Sequence, residues 1–344
     1  MSDGFGSKLR AGDFVITAEI SPPLSSDPED LLEKAMPLGG LANAVNITDG
    51  ASARVHMSAL AAAAILVREG IEPVFQLTCR DRNRIALQSD LLGAAALGIR
   101  NLLILTGDDP SAGDQPEAKP VFDLDSRKLI ETAVGIRDRH ELPSGRRVAG
   151  GADFFIGVAD TPLDPTPSWT PVSLRNKIAA GAQFAQTQFC MDGAITRRYM
   201  NRLAEEGITE RLFVLIGIAP LPSARTALWM REHLPGSIIP DAVIDRLARA
   251  GDPKAEASRQ MASNVAQGST RLLLIGAAVL LSIGMGLRQS IGLFLTPVTR
   301  DLALTAADFT LTIAIQNIVW GLAQAPAGAI ADRFGLGRTL VAGQ

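Results

Sequence analysis

The chain has 344 residues, enough for more than one ordinary domain. Its net charge of -3 at pH 7 leaves no basic excess, which argues against a nucleic-acid partner. Only two cysteines are present, Cys79 and Cys190, so neither a disulfide framework nor a zinc-site spacing is indicated, as is typical of a reducing cytosol. Residues 1–12 are polar and lack an apolar core, so we expect no secretory signal peptide.

Seven short, largely apolar runs predict seven β-strands in the first 260 residues. Continuous apolar runs of this length are typical of strands buried on both faces, as in parallel sheets. The predicted strands cover residues 14–20, 44–47, 73–78, 102–105, 154–158, 184–188 and 212–216.

Helical patterns occupy the segments between these strands. The first begins with a capping residue, Asp27, followed by Pro28 and acidic residues, which is a typical helix start. The later helices are predicted over residues 58–68, 83–97, 124–139, 174–180, 195–206, 224–233 and 242–250. This alternation of strands and helices favours a parallel sheet with right-handed crossovers.

Two parallel architectures compete, an open dinucleotide-binding sheet and a barrel. The turn after the first strand reads Ser21-Pro22-Pro23 instead of Gly-x-Gly-x-x-Gly, and it could not cradle a pyrophosphate. The sequence also contains no P-loop, His-Glu-x-x-His or Gly-x-Ser-x-Gly motif. We therefore predict an α/β barrel of the TIM type.

Polar side chains occur where the predicted strands end. In a barrel, the carboxyl ends of all strands meet at one mouth, which is where the chemistry takes place. Glu19 stands between two apolar residues, Ala18 and Ile20, so partial desolvation would raise its pKa and suit it to act as a general acid. The alternative is a rim carboxylate paired with an arginine. The other strand-end candidates are Thr48, Asp49, Gln76, Thr78, Asp108 and Gln188.

Some of these polar residues also have plain structural explanations. Asp108 is followed by an Asp-Pro pair and could belong to an ordinary turn. Gln188 could be a hydrogen-bonded amide of the rim. The three histidines lie in helix or loop contexts, and we expect all of them at the solvated surface: His56, His140 and His233.

Short motifs at six of the strand ends resemble those of one enzyme family. They read Ala-Glu-Ile-Ser-Pro-Pro (18–23), Asn-Ile-Thr-Asp-Gly-Ala (46–51), Gln-Leu-Thr-Cys (76–79), Leu-Thr-Gly-Asp (105–108), Ala-Gly-Ala with Thr-Gln-Phe (180–182 and 187–189) and Gly-Ile-Ala-Pro (217–220). In this order they resemble the methylenetetrahydrofolate reductases, over about residues 14–260.

The resemblance implies a flavin-containing barrel in which NADH or NADPH reduces FAD. Reduced FAD then passes a hydride to the folate substrate, 5,10-methylenetetrahydrofolate, giving the 5-methyl product used in methionine synthesis. The resemblance matches the family's catalytic acid to Glu19. It matches the family's carboxylate beside flavin and pterin to Asp108, and its pterin-binding amide to Gln188. Flavin contacts fall on Thr48, Asp49, Ala51, Gln76, Thr106, Gly107, Phe122 and Asp123, and a phosphate-side cation on Lys177.

The chain departs from the family pattern at several positions. The family often has His where Gln76 stands, Arg where Thr106 stands and Tyr near Thr161. Its aromatic residue over the flavin has no clear equivalent near Ala224. The choice between NADH and NADPH therefore stays open.

The C-terminal part of the chain has a different character. Residues 272–295 and 309–330 are almost wholly apolar, and each run is long enough to span a bilayer, which takes about 20 residues. The alternative is a pair of buried core helices. The segment Gly-Ala-Ile-Ala-Asp-Arg-Phe-Gly-Leu-Gly-Arg at 328–338 resembles the cytoplasmic loop after the second helix of major facilitator superfamily transporters. The flanking arginines Arg271, Arg333 and Arg338 agree with the positive-inside rule.

We therefore expect a barrel over residues 1–260 that lacks its eighth strand–helix unit, a linker at 261–270, and a truncated two-helix membrane hairpin at 271–344. The barrel is expected in the cytoplasm and the hairpin in the inner membrane. Such a barrel would leave the edges of its first and seventh strands unpaired and hydrate Glu19, so we expect weak or absent reductase activity.

Two other functions stay open, a membrane-tethered barrel that binds flavin or folate without turnover and an inactive transporter-fusion fragment. The fusion could be natural or a join between two gene models. A homo-oligomer also stays open.

Overall fold

The computed structural model describes residues 4–250 together with Glu256 and Arg259. The chain divides into two units, Met1–Gly268 and Ser269–Gln344, and all the described residues belong to the first. The predicted linker and membrane hairpin lie outside the described residues. Within residues 4–250, no helix combines the length and the apolar character needed to cross a membrane.

Seven parallel strands form one sheet in which each strand pairs with the next along the chain. This sequential parallel order confirms a TIM-like α/β architecture. Within residues 4–250, β1 pairs only with β2 and β7 only with β6, so the sheet is an open half-barrel. The strands are β1 (Thr17–Ile20), β2 (Ala44–Ile47), β3 (Pro73–Thr78), β4 (Asn101–Leu105), β5 (Phe155–Asp160), β6 (Phe184–Phe189) and β7 (Phe213–Gly217).

Nine α-helices lie within residues 4–250, and most of them follow the predicted ranges to within two residues. They are α1 (Phe5–Ala11), α2 (Pro28–Ala35), α3 (Ala59–Arg68), α4 (Arg84–Ala96), α5 (Ser126–Val134), α6 (Val172–Ala180), α7 (Gly193–Glu205), α8 (Ala224–His233) and α9 (Asp241–Arg249). The predicted helix at 124–139 is wrong in part, because α5 passes into a π-helical turn, Gly135–Arg139, that ends at His140 with φ 52°.

Sequence reasoning missed α1. Phe5 is fully buried, and its ring meets Phe155 and Phe184 edge-on at centroid distances of 5.6 and 5.2 Å. The backbone N–H of Phe5 also donates to the Glu72 carboxylate at 2.9 Å. The helix has seven residues and one buried side chain, so its sequence looks like a polar tail. It closes the amino-terminal end of the curved sheet.

Alternate strand positions point into the curve of the sheet and form two layers. The lower layer, at the amino ends of the strands, is apolar and comprises Ala44, Val74, Leu103, Phe155 and Phe184 around Phe5. Two residues further along the strands lies a polar layer made of Glu19, Asn46, Gln76 and Gln186. The opposite strand faces pack against the helices in the main core. The fold thus places polar side chains above an apolar floor, on the side of the carboxyl ends.

Gly157 on β5 marks a position where the apolar floor leaves no room for a side chain. A Cβ atom at this residue would overlap the ring of Phe184. We expect Gly157→Ala to lower the free energy of unfolding by about 1–3 kcal/mol, the usual cost of overpacking. The measurement is urea denaturation followed by circular dichroism.

Gly93 in α4 provides the matched control, since the nearest atom to its built Cβ lies 3.7 Å away. Gly93→Ala is expected to raise the free energy of unfolding by about 0.5–1 kcal/mol, because glycine is unfavourable inside a helix. Similar effects of the two substitutions would contradict the packing described around Phe184.

Candidate active site

Three side-chain amides surround Glu19 inside the sheet. Asn46 Nδ2 donates to Glu19 Oε2 at 2.6 Å, Gln186 Nε2 at 3.0 Å, and Gln76 Nε2 at 3.4 Å. Gln186 belongs to β6 and Glu19 to β1, so this contact requires the sheet to curl until its sixth strand faces its first. The curvature of a barrel is therefore present even though only seven strands are described.

The surroundings of Glu19 shift its acidity. Burial raises the pKa of Glu19 above its usual value, and the hydrogen bonds from Gln186 and Asn46 lower it in part. The residue as a whole is exposed, so solvent limits the size of this shift. Its hydrogen-bond partners within residues 4–250 are neutral amides, which does not match the alternative of a rim carboxylate paired with an arginine.

Asn46 and Gln186 were not predicted as site residues. Asn46 is 1% exposed, and its Oδ1 has no hydrogen-bond partner in the part of the chain that the structure describes. Its Nδ2 reaches Gln186 Oε1 at 3.3 Å. A strict period-two pattern in β6 would have placed Gln186 on the same face as the predicted Gln188, although the strand is irregular between Gln186 and Phe189.

Asp49 follows β2 and ties its end to β3. Its Oδ2 accepts hydrogen bonds from Thr78 N at 2.9 Å and Thr78 Oγ1 at 2.8 Å, and it forms an ion pair with Arg82. Arg82 also bonds Asp90 at 3.0 Å. Beside it, the buried Thr48 donates its hydroxyl to Ser21 Oγ at 3.1 Å. Both predicted flavin contacts are thus engaged within the protein.

Asp108 lies exposed after β4 and contacts the loop after β2. Its Oδ2 accepts the backbone N–H of Ser52 at 3.1 Å. Ser52 lies in the short turn Ala51–Ala53, where Ser52 and Ala53 have φ values of 55° and 54°. Non-glycine residues in this left-handed region are uncommon and cost free energy. The turn that carries the predicted flavin contact Ala51 is therefore strained and held by Asp108.

Gly107, next to Asp108, allows the backbone to lie close to its neighbours. Its φ is 96°, and a Cβ there would lie 2.9 Å from Cβ of Arg80. Arg80 is buried, forms an ion pair with Asp81 at 2.8 Å and donates to the carbonyl of Gly50 at 3.1 Å. Thr106, on the other side of Gly107, is exposed.

The loop after β4 returns to the start of α4. Asp123 accepts three hydrogen bonds from Arg84, at 2.7 to 2.9 Å, which hold the pKa of the Asp123 carboxyl well below its usual range. Phe122 has φ 38° and is 40% exposed, an unusual setting for an aromatic side chain. This part of the rim thus presents an aromatic ring beside a fixed carboxylate.

The remaining predicted residues lie at the ends of β5 and β6. Lys177 Nζ donates to the carbonyl of Ala159 at 2.6 Å, and burial lowers the pKa of Lys177. Gln188 donates to the carbonyl of Pro235 at 3.3 Å and accepts the backbone N–H of Phe189 at 3.0 Å. Gln188 therefore has the contacts of a rim amide, and it does not touch Glu19.

One histidine differs from its predicted setting. The interpretation of His56 as solvated surface is wrong, since the residue is half-buried and its Nδ1 has no partner within residues 4–250. It lines a cleft beside Asp49 and Arg80. His140 and His233 are exposed, as predicted.

The sequence matches the family model described as methylenetetrahydrofolate reductase over residues 5–279. The match extends beyond the range 14–260 in both directions. Three curated relatives give the same picture. A 5,10-methylenetetrahydrofolate reductase of Pectobacterium carotovorum subsp. carotovorum is 29% identical over 216 residues, which cover 60% of this chain and 64% of the relative.

The reductase of the same name from Salmonella typhimurium is 28% identical over 226 residues, covering 63% of this chain and 68% of the relative. A probable methylenetetrahydrofolate reductase (NADPH) of Caenorhabditis elegans is 27% identical over 172 residues, covering 49% of this chain and 23% of the relative. The chain thus spans between 23% and 68% of the length of these relatives.

Proposed function

The chain belongs to the methylenetetrahydrofolate reductase family, and on that premise we propose that it is a flavin-dependent oxidoreductase. Its proposed reaction is the reduction of 5,10-methylenetetrahydrofolate to 5-methyltetrahydrofolate, with NADH or NADPH as the reductant of FAD. The observation that carries the proposal is the carboxyl group of Glu19, which is held by amides inside the curved sheet, at the level where a barrel carries its chemistry.

Glu19 is the proposed general acid. Bound FAD would supply the hydride that reduces the methylene carbon of the folate. Glu19 donates a proton to the ring nitrogen that is released when the five-membered ring opens. Its raised pKa supports this role, because an acid works best when it stays partly protonated near the working pH. Asp108 and Gln188 are proposed to contact the pterin.

The residues at the ends of β2, β3 and β4 fit a flavin in two different ways. Thr106 and Phe122 offer an exposed hydroxyl and an exposed aromatic ring, and Gly107 permits close approach to the backbone. We propose these as direct contacts, with Ala51, Thr48 and Gln76 beside them. The other assigned residues, Asp49, Asp123 and Lys177, are proposed to shape the loops, since each already bonds a protein partner.

A second candidate is a membrane-tethered barrel that binds flavin or folate without turnover. Within residues 4–250 the outer edges of β1 and β7 are unpaired, which favours it, because β1 carries the exposed Glu19. A more hydrated Glu19 would have a lower pKa and carry its proton less often near neutral pH, which makes it a poorer general acid, and we propose low activity on this ground. Three further proposals rest on the sequence pattern alone. They are a cytoplasmic barrel, a transporter-like hairpin at 271–344 in the inner membrane, and an inactive transporter-fusion fragment.

The test uses the full chain, purified in detergent and mixed with excess FAD. We expect a bound-flavin absorbance spectrum that NADH or NADPH bleaches, and the faster of the two identifies the physiological reductant. Anaerobic addition of 5,10-methylenetetrahydrofolate should then restore the oxidised spectrum. No flavin binding at excess FAD would contradict the reductase. Flavin that is reduced but never reoxidised by the folate would support the binding barrel instead.

A further inference from the structure

The three amides around Glu19 all donate to the same carboxyl oxygen. Asn46 and Gln186 lie at 2.6 and 3.0 Å from Oε2, and Gln76 completes the set at 3.4 Å. Within residues 4–250, no donor bonds Oε1. Among the described residues the two oxygens of Glu19 are therefore unequal, because Oε2 is saturated by donors and Oε1 has none.

The orientation of each amide is fixed by a second contact. Gln186 Oε1 faces Asn46 Nδ2 at 3.3 Å, and Gln76 Oε1 accepts the backbone N–H of Asp49 at 3.4 Å. Flipping either glutamine amide would turn N–H groups toward a donor and an oxygen toward the Glu19 carboxylate. The side chains facing Glu19 from β2, β3 and β6 are these neutral amides, and no charged group among the described residues contributes to its pKa shift.

This inequality decides where the proton of Glu19 sits. Amide N–H groups bond a carboxylate oxygen most strongly when it carries negative charge, so Oε2 is the less favourable position for the dissociable proton. On the reductase function proposed above, we propose that Asn46 and Gln186 are positioning residues, which hold Oε2 so that the proton transferred to the folate leaves from Oε1.

The O–H bond at Oε1 breaks and an N–H bond forms to the folate ring nitrogen. The bond between the methylene carbon and that nitrogen breaks, and its electron pair stays on the nitrogen. The lone pair of the second ring nitrogen forms the C=N bond of the resulting iminium. The negative charge left on Glu19 is stabilised by the N–H groups already aimed at Oε2, which is preorganised electrostatic stabilisation.

The test replaces Gln186 by methionine, which has a similar length and no hydrogen-bond donor. The acid dissociation constant of Glu19 is measured in the full chain by carbon-13 NMR with labelled glutamate, its signal being assigned by its loss in Glu19→Gln. We expect Gln186→Met to lower this constant about three- to tenfold, because a lost donor disfavours the ionised form. The pH profile of flavin reoxidation by the folate should move to higher pH by the corresponding change in the Glu19 pKa. The rate of flavin reduction should stay unchanged.

Gln88→Met, on the outer helix α4, is the matched control and should move neither measurement. If Gln186→Met fails to fold, Asn46→Leu tests the same idea, because it also removes a donor to Oε2. An unchanged dissociation constant in a folded variant would overturn the proposal. The NMR titration needs no turnover. If Gln186→Met changes the dissociation constant of Glu19 as expected but the chain reduces no folate, the reductase function is contradicted and the positioning of the Glu19 proton still holds.

Discussion

Replacing Glu19 by glutamine is expected to slow flavin reoxidation by the folate about a hundredfold or more, the usual contribution of a general acid. Flavin reduction by the nicotinamide should stay nearly unchanged, because that hydride transfer needs no proton from Glu19. Both half-reactions can be followed separately by anaerobic stopped-flow absorbance of the flavin. A general acid acts only while it is protonated, so in the unchanged chain the folate step should slow as pH rises through the Glu19 pKa. Glu19→Gln should show no such decline.

Glu33→Gln is the matched control, since Glu33 is exposed on α2, outside the sheet. It should leave both half-reactions intact. Equal loss of the two half-reactions in Glu19→Gln would mean that Glu19 supports the structure of the site instead of donating a proton. A structural role is plausible because three amides bond the Glu19 carboxyl. Measuring the two half-reactions separately distinguishes this role from proton donation.

The strands were predictable where burial alone decides them. Strands β2 and β3 begin and end as predicted, because each is largely apolar, buried on both faces and flanked by paired strands. The predicted start of β1 at residue 14 is wrong. Phe14 and Ile16 are exposed, and Ile16 reaches only Asn43, before the first residue of β2. An apolar run predicts a strand, but the length of the partner strand sets where pairing begins.

The sequence motifs predicted several residues of the candidate site, but they did not predict most of the contacts between those residues. Glu19 could be found because an acid within an apolar strand is unusual. Its contact with Gln186 spans 167 positions and depends on how far the sheet curls, which no local pattern reveals. In the same way, Asp49 and Asp123 are engaged by arginines 33 and 39 positions away, so their structural roles appear only in the folded chain.

The ion pair between Asp49 and Arg82 is expected to contribute strongly to stability. The two side chains are 11% and 20% exposed, and Arg82 also bonds Asp90, which is 26% exposed. Removing one member of a largely buried pair leaves charge without compensation. We expect Arg82→Met to lower the free energy of unfolding by about 2–4 kcal/mol, somewhat below the cost for fully buried pairs because some water reaches this one. Urea denaturation followed by circular dichroism measures it.

Arg198→Met provides the comparison, because Arg198 and Asp164 form an ion pair in which both side chains are 52% exposed. Exposed pairs contribute little, so no clear loss of stability is expected there. The two substitutions remove the same charge and add the same side chain. They differ in the burial of the ion pair and in the number of partner carboxylates, two for Arg82 and one for Arg198. A loss in Arg82→Met no larger than in Arg198→Met would show that solvent screens the Asp49 pair. The carboxylate of Asp49 would then be free to bind flavin directly, as the family resemblance implies, instead of joining the ends of β2 and β3.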